Sequence, residues 1–165
     1  MKDAISRPVI ASTEWDSPDV DLIARAHQLY VQYAWAVDYG DFDLLTSLVA
    51  PEISITRGDV TYDGLAEFLK VYESNWDADW SAGKHYISNV TATKNSESGI
   101  KARAYFQAIF IRSNRSTMVV GRYDDTLVDN GGELQIAHKR IYVEGSLDLP
   151  EVSREWNGYQ FARVK

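Results

Sequence analysis

Helical and strand signals are segregated along this chain, and that order constrains its fold more than any single motif. From Lys84 to Val143 the sequence is β-like throughout. Lys84 to Lys94, Ile100 to Arg112, Thr117 to Val128 and Leu134 to Val143 are rich in β-branched and aromatic residues. Asn-, Ser- and Gly-rich turns separate them. Asp129-Asn130-Gly131-Gly132 is the clearest hairpin signal, and Ser113-Asn114-Arg115 is the next. Strands joined by such short turns run antiparallel.

The amphipathic helices precede this block. Leu22, Ile23, Ala26, Leu29, Tyr30, Tyr33, Ala34 and Val37 recur at steps of three and four, with Arg25, Gln28 and Gln32 opposite. Ser17 or Asp19 can cap this helix, and Gly40 suits its left-handed end. A shorter helix is expected from Asp41 through Leu44, Leu45, Leu48 and Val49, ended by Pro51. Glu52 to Thr56 and Thr61 to Asp63 read as short strands. A third helix runs from Leu65 to about Trp76, with Leu65, Phe68, Leu69 and Tyr72 on one face. Three helices before a run of antiparallel strands predict an α+β domain. Its sheet must curve over the helices or pair with another subunit.

At 165 residues the chain is long enough for one proper core. Residues 1–18 lack periodicity and read as an arm, residues 19–145 as the domain, and residues 146–165 as a tail. The aromatic residues Trp156, Tyr159 and Phe161 suit a tail packed on the domain or on a neighbour. A net charge of −7 with scattered basic residues argues against a nucleic-acid partner. No apolar run approaches a membrane span. No basic-then-apolar leader is visible, so the cytoplasm is the expected location. There is no cysteine, which excludes disulfides and thiolate chemistry. The 12% aromatic content suits either a dense core or a pocket for a small apolar or aromatic molecule.

No phosphate loop, nucleophile elbow or His-Glu-x-x-His motif is present. His27, His85 and His138 lack metal-ligand spacing, so no metal is expected. Any active site must be assembled from separate elements. Asp38 falls on the border of the apolar stripe, one turn past Ala34, with His27 earlier on that border. It can cap the Gly40-Asp41 turn, reach solvent, or serve a buried partner. His85 opens its strand, where a carboxylate neighbour would make it a general base. His138 is expected to share a face with Leu134, Ile136 and Arg140 by alternation. Arg122 and Asp124 share a face and suit a cross-sheet ion pair. Tyr105, Tyr123 and Tyr142 are available hydroxyls.

Several runs together are similar to a known family. Tyr33-Ala34-Trp35-Ala36-Val37-Asp38-Tyr39-Gly40-Asp41 resembles the end of the first helix in SnoaL-like proteins. His85-Tyr86-Ile87-Ser88-Asn89 resembles their His-x-x-x-Asn strand, and Gly121-Arg122-Tyr123-Asp124-Asp125 their Gly-Arg-Tyr-x-Asp strand. Leu134-Gln135-Ile136-Ala137-His138-Lys139-Arg140 resembles the closing strand, usually opened by Trp where Leu134 stands. The match keeps its order over residues 20–145. It implies the cone-shaped fold of nuclear-transport-factor-2-like proteins, with three N-terminal helices on a strongly curved, mostly antiparallel sheet.

That family includes scytalone dehydratase, lindane dehydrochlorinase, polyketide cyclases and the β subunits of ring-hydroxylating dioxygenases. The resemblance implies cofactor-independent lyase or isomerase chemistry, with His85 as base oriented by Asp38. Tyr30 or Tyr105 would polarise a carbonyl or assist a leaving group, and Trp80, His138 and Tyr123 would complete the pocket. The alternative it offers is a non-catalytic binding or scaffold subunit, like the dioxygenase β subunits. An epoxide hydrolase of the same shape would need Asp38, Arg122 and Asp124 together. The uncovered sheet face and off-stripe Trp35 predict a homodimer or homotrimer.

Overall fold

The computed structural model describes residues 19–74, 80–95, 99–112 and 116–149, with Trp80, Ser81 and Asn95 by main chain only. The expected arm, most of the expected tail, Trp76 and the Ser113-Asn114-Arg115 turn lie outside the described residues. Helix α1 spans Val20–Tyr39. Asp19 caps it, accepting from the Leu22 N–H at 3.0 Å. Its apolar stripe is buried along its length, and Gly40 ends it at φ 67°, where a side chain would be strained. Helix α2 spans Phe42–Ser47, capped by Asp41, and α3 spans Leu65–Glu73.

The second helix ends earlier than its sequence suggests. Strand β1 (Val49–Arg57) already starts at Val49, and Pro51 lies inside it. Pairing with the last strand is irregular between Val49 and Ser54, so a residue without an N–H is tolerated there. Strands β2 (Val60–Asp63), β3 (Trp80–Asn95), β4 (Gly99–Arg112), β5 (Ser116–Asn130) and β6 (Glu133–Leu149) follow. They form one sheet in the order β2-β1-β6-β5-β4-β3. Every neighbouring pair is antiparallel except β1 with β6. The hairpin between β5 and β6 is closed by Asp129, whose Oδ1 accepts from Gly132 N–H at 2.8 Å.

Bulges bend this sheet around α1. An extra residue stands in β3 between Ser88 and Thr91, where Asn89 takes φ 52°. Two stand in β6, at Ala137 and at Glu144. Each bulge adds local twist and bends its strand. The concave side then encloses Leu22, Leu29, Ile53, Ile55, Phe68, Leu127 and Ile136, all at most 3% exposed. Burial of each such side chain stabilises the fold by about 1.5–3 kcal/mol. Gly121 is required by space. A Cβ there would lie 2.0 Å from the Tyr142 carbonyl oxygen and 2.8 Å from the Phe106 ring.

Candidate active site

Asp38 and His85 meet where the end of α1 crosses β3. Asp38 sits one turn beyond Ala34 on the buried side of the helix, and the chain reverses at Gly40 just after it. Strand β3 is one edge of the sheet, so among the described residues its outward N–H groups have no neighbouring strand to satisfy them. Asp38 supplies the missing acceptor. Its Oδ2 accepts from the His85 main-chain N–H at 2.9 Å, and its Oδ1 lies 2.6 Å from His85 Nδ1. The carboxylate does not cap the Gly40-Asp41 turn, because both of those N–H groups bond to the Ala36 carbonyl.

This two-point grip has a chemical consequence. An ionised carboxylate only accepts, so the network assigns the ring proton to Nδ1 and a lone pair to Nε2. No described residue is hydrogen-bonded to Nε2. The opposite strand offers Ala108 beside His85, and the Phe110 ring edge meets the imidazole at 5.6 Å. The side chains are 9% and 6% exposed for His85 and Asp38. Charge-assisted bonds in so dry a setting are strong and directional. A cleft of about 390 Å³ reaches both residues and is walled by Ala34, Trp35, Tyr39 and Lys84. Trp35 stacks on Tyr39 at 5.0 Å, and Lys84 Nζ lies 4.2 Å above the Tyr39 ring.

The other candidate residues are dispersed. Tyr30 and Tyr123 are fully buried in the core beneath the helix, with Tyr123 stacked on Phe106 at 4.7 Å. Tyr105 is 52% exposed on the convex face, opposite its buried neighbours Ala104 and Phe106. The main chain of Trp80 pairs with Arg112, and its side chain lies outside the described residues. His27 is exposed. His138 also departs from expectation. The bulge at Ala137 shifts the alternation, so Ile136 faces the core while His138 and Arg140 face outward. There His138 Nδ1 meets Ser54 Oγ at 2.6 Å and Nε2 meets Thr56 Oγ1 at 3.3 Å. Burial and the positive charge of Arg140 hold His138 below the ordinary histidine range. Arg122 and Asp124 do not pair with each other. Arg122 bonds to Glu144 and Asp124 lies 3.6 Å from Arg103, both on the convex face. The set of Asp38, Arg122 and Asp124 is therefore not assembled.

A second charged pair went unseen in the sequence. Asp125 and Lys139 are both fully buried. Lys139 Nζ donates to Asp125 Oδ2 at 2.9 Å, Tyr30 Oη donates to the same oxygen at 3.0 Å, and Arg140 N–H donates to Oδ1 at 2.9 Å. The ammonium also lies 3.5 Å above the Tyr123 ring and 4.2 Å above that of Tyr33. Tyr33 and Tyr72 share a 2.5 Å hydroxyl–hydroxyl bond beside them. Burial pushes the Asp125 carboxyl up and the Lys139 amine down, against their mutual attraction. It also raises Tyr30, Tyr33 and Tyr123 well above the phenol range, so these hydroxyls stay protonated. Asp125 had a readable signal, being in phase with Tyr123 and Leu127 on β5. Lys139 had none, because only the bulge turns it inward.

A model of the SnoaL-like domain matches residues 18–140. The chain belongs to the SnoaL-like family. No curated protein matches this SnoaL-like chain in sequence. Solved structures match it in shape. A provisionally assigned scytalone dehydratase from Novosphingobium aromaticivorans has a TM-score of 0.71 at 16% identity, covering 81% of this chain and 91% of that one. The hexachlorocyclohexane dehydrochlorinase LinA-type3 from Novosphingobium barchaimii scores 0.68 at 17% identity, covering 78% and 90%. ActVI-ORFA from Streptomyces coelicolor scores 0.58 at 18% identity, covering 75% and 98%. These likenesses establish the curved α+β cone of the SnoaL-like fold. Among the described residues no helix is long and apolar enough to cross a membrane, and no three His, Asp or Glu gather as metal ligands.

Proposed function

We propose that this chain is a cofactor-independent lyase or isomerase of the dehydratase or cyclase type, acting on a small apolar or cyclic molecule. The observation that carries this reading is the two-point hold of Asp38 on His85, which leaves Nε2 as the basic nitrogen. Nε2 removes a proton from a carbon beside an electron-withdrawing group. The electron pair left behind expels a leaving group from the adjacent carbon or takes a proton back at another position. Asp38 stabilises the imidazolium formed in the first step. The dehydratase and dehydrochlorinase among the structural neighbours agree with elimination chemistry.

Solvent-deuterium incorporation tests the proton-abstraction step directly. Cyclic β-hydroxy ketones and β,γ-unsaturated cyclic ketones serve as the substrate panel, with enone absorbance and mass spectrometry as readouts. His85→Ala is expected to lower turnover and exchange about 10²–10⁴-fold. Equal exchange by the variant and the native chain would remove His85 from the chemistry.

One observation favours a second reading, a non-catalytic binding or scaffold subunit like the dioxygenase β subunits. Tyr30, Tyr33, Tyr72, Tyr123 and Lys139 fill the centre of the cone, and the cleft at His85 borders exposed Trp35 and Tyr86. That reading predicts ligand binding by the native chain with no exchange on any panel member. We extend either reading to a homodimer or homotrimer, supported by exposed Trp35, Tyr86, Val143 and Leu147. Light scattering that returned the monomer mass of 18.7 kDa at micromolar concentration would refute the assembly.

A further inference from the structure

The convex face of the sheet carries a second depression, on the side away from the Tyr-lined core. Its volume is about 530 Å³, within the range of small-molecule sites. Lys101, Arg103, Thr126, His138 and Arg140 line it, with Asp124 as its acidic member. Strand pairing sets Lys101 beside Thr126, and Thr126 beside His138, so one row crosses β4, β5 and β6. The bulge at Ala137 completes the groove by turning His138 and Arg140 outward.

The charge here is opposite to that of the molecule. The chain carries a net −7, yet three permanent cations meet one carboxylate in this groove. Asp124 lies 3.6 Å from Arg103. Lys101 Nζ instead donates to the Thr126 hydroxyl at 2.6 Å, and Arg140 reaches the Tyr142 hydroxyl at 3.4 Å. Among the described residues neither Lys101 nor Arg140 has a carboxylate within ion-pair distance. Cations left to neutral hydroxyls inside one ligand-sized groove form an attractive field for anions.

We infer that this groove binds a small oxyanion of two or more negative charges, held between Lys101 and Arg140 with the Thr126 hydroxyl as a hydrogen-bonding wall and the His138 ring beside it. Arg140 offers a planar fork suited to phosphate or carboxylate oxygens, and Lys101 adds a point charge. The field is already felt by His138. Desolvation is the largest influence on its proton affinity, downward; Arg140 and Lys101 push the same way, and Asp125 and Asp63 oppose them. Ser54 and Thr56 hold its ring without adding charge.

The test follows the His138 ring signals by NMR while inorganic phosphate is added to the full chain, with sodium chloride matched for ionic strength. Citrate, in a parallel titration, distinguishes a carboxylate source from a phosphate one. A saturable shift with either anion is expected, accompanied by a rise in the His138 pKa. Arg140→Gln and Lys101→Gln should each weaken binding about tenfold or more. Circular dichroism checks that each variant is folded, and two independent variants keep the test decisive if one is not. No saturation beyond the chloride control with either anion would overturn the site. So would native-like affinity in both folded variants.

Discussion

Two buried carboxylates anchor this molecule, and they differ in what they leave unsatisfied. Asp125 accepts from Lys139, Tyr30 and the Arg140 main chain, in a setting with no solvent exposure. Its cationic partner is enclosed by the rings of Tyr30, Tyr33 and Tyr123. Among the described residues Asp38 accepts only from His85, at the rim of the sheet, and the second ring nitrogen of that histidine has no partner among them. A sealed pair can fix packing but has no reagent to offer. A held histidine with one nitrogen to spare can move a proton. Strong burial alone therefore does not mark a reactive site: the group that acts must keep one bonding direction open.

The largest expected effect breaks the sealed pair. Lys139→Met leaves Asp125 buried opposite no charge, and should cost about 3–5 kcal/mol in urea unfolding. The double variant Asp125→Leu with Lys139→Met should recover most of that loss, because no unpaired charge remains. A single variant within about 1 kcal/mol of the native chain would show that the pair is not needed. The rim pair should behave in the opposite sense. Asp38→Asn is expected to cost only about 1–3 kcal/mol, since the amide still accepts one hydrogen bond. Proton exchange on the ketone panel should nevertheless fall about 10²–10⁴-fold, because an amide neither stabilises the imidazolium nor fixes its tautomer. If stability collapses while exchange persists, Asp38 is structural.

The smallest effect concerns His138, which belongs to neither pair. Its folded-state pKa is held below the ordinary 6.5, chiefly by desolvation. A lowered folded value means that the neutral ring is favoured in the native state. The stability it contributes is therefore present above pH 6.5 and is lost as pH falls through the folded value. The melting temperature should decline modestly between neutral and mildly acid pH. His138→Asn should flatten that part of the profile, and an unchanged slope would assign it to other groups.

Much of this molecule is written in local pattern. The α1 stripe, the Asp19 cap, the Gly40 stop, the four long strands and the Asp129–Gly132 hairpin all follow from side-chain periodicity and turn chemistry. The order of those elements, with the Tyr33 to Asp41 run that contains Asp38 and the strand holding His85, carried both the family likeness and the candidate dyad. Alternation on β5 also marks Asp125 as an inward residue beside Tyr123.

Tertiary pairing decided what remained. A bulge is a mismatch between two strands, so the sequence of one strand cannot reveal it. Leu134 to Arg140 therefore reads as plain alternation, whereas the extra residue at Ala137 sends Lys139 into the core and His138 and Arg140 out. Propensity places lysine at the surface. Only Asp125 on the neighbouring strand and three tyrosine rings, two of them from α1, make its burial tolerable. The end of α2 was settled in the same way, since Val49 gains a partner in Ile136 that a helix would forgo. Local pattern specifies the elements and the residues able to do chemistry. Strand register decided which of them face one another, because it depends on contacts between segments far apart in the chain.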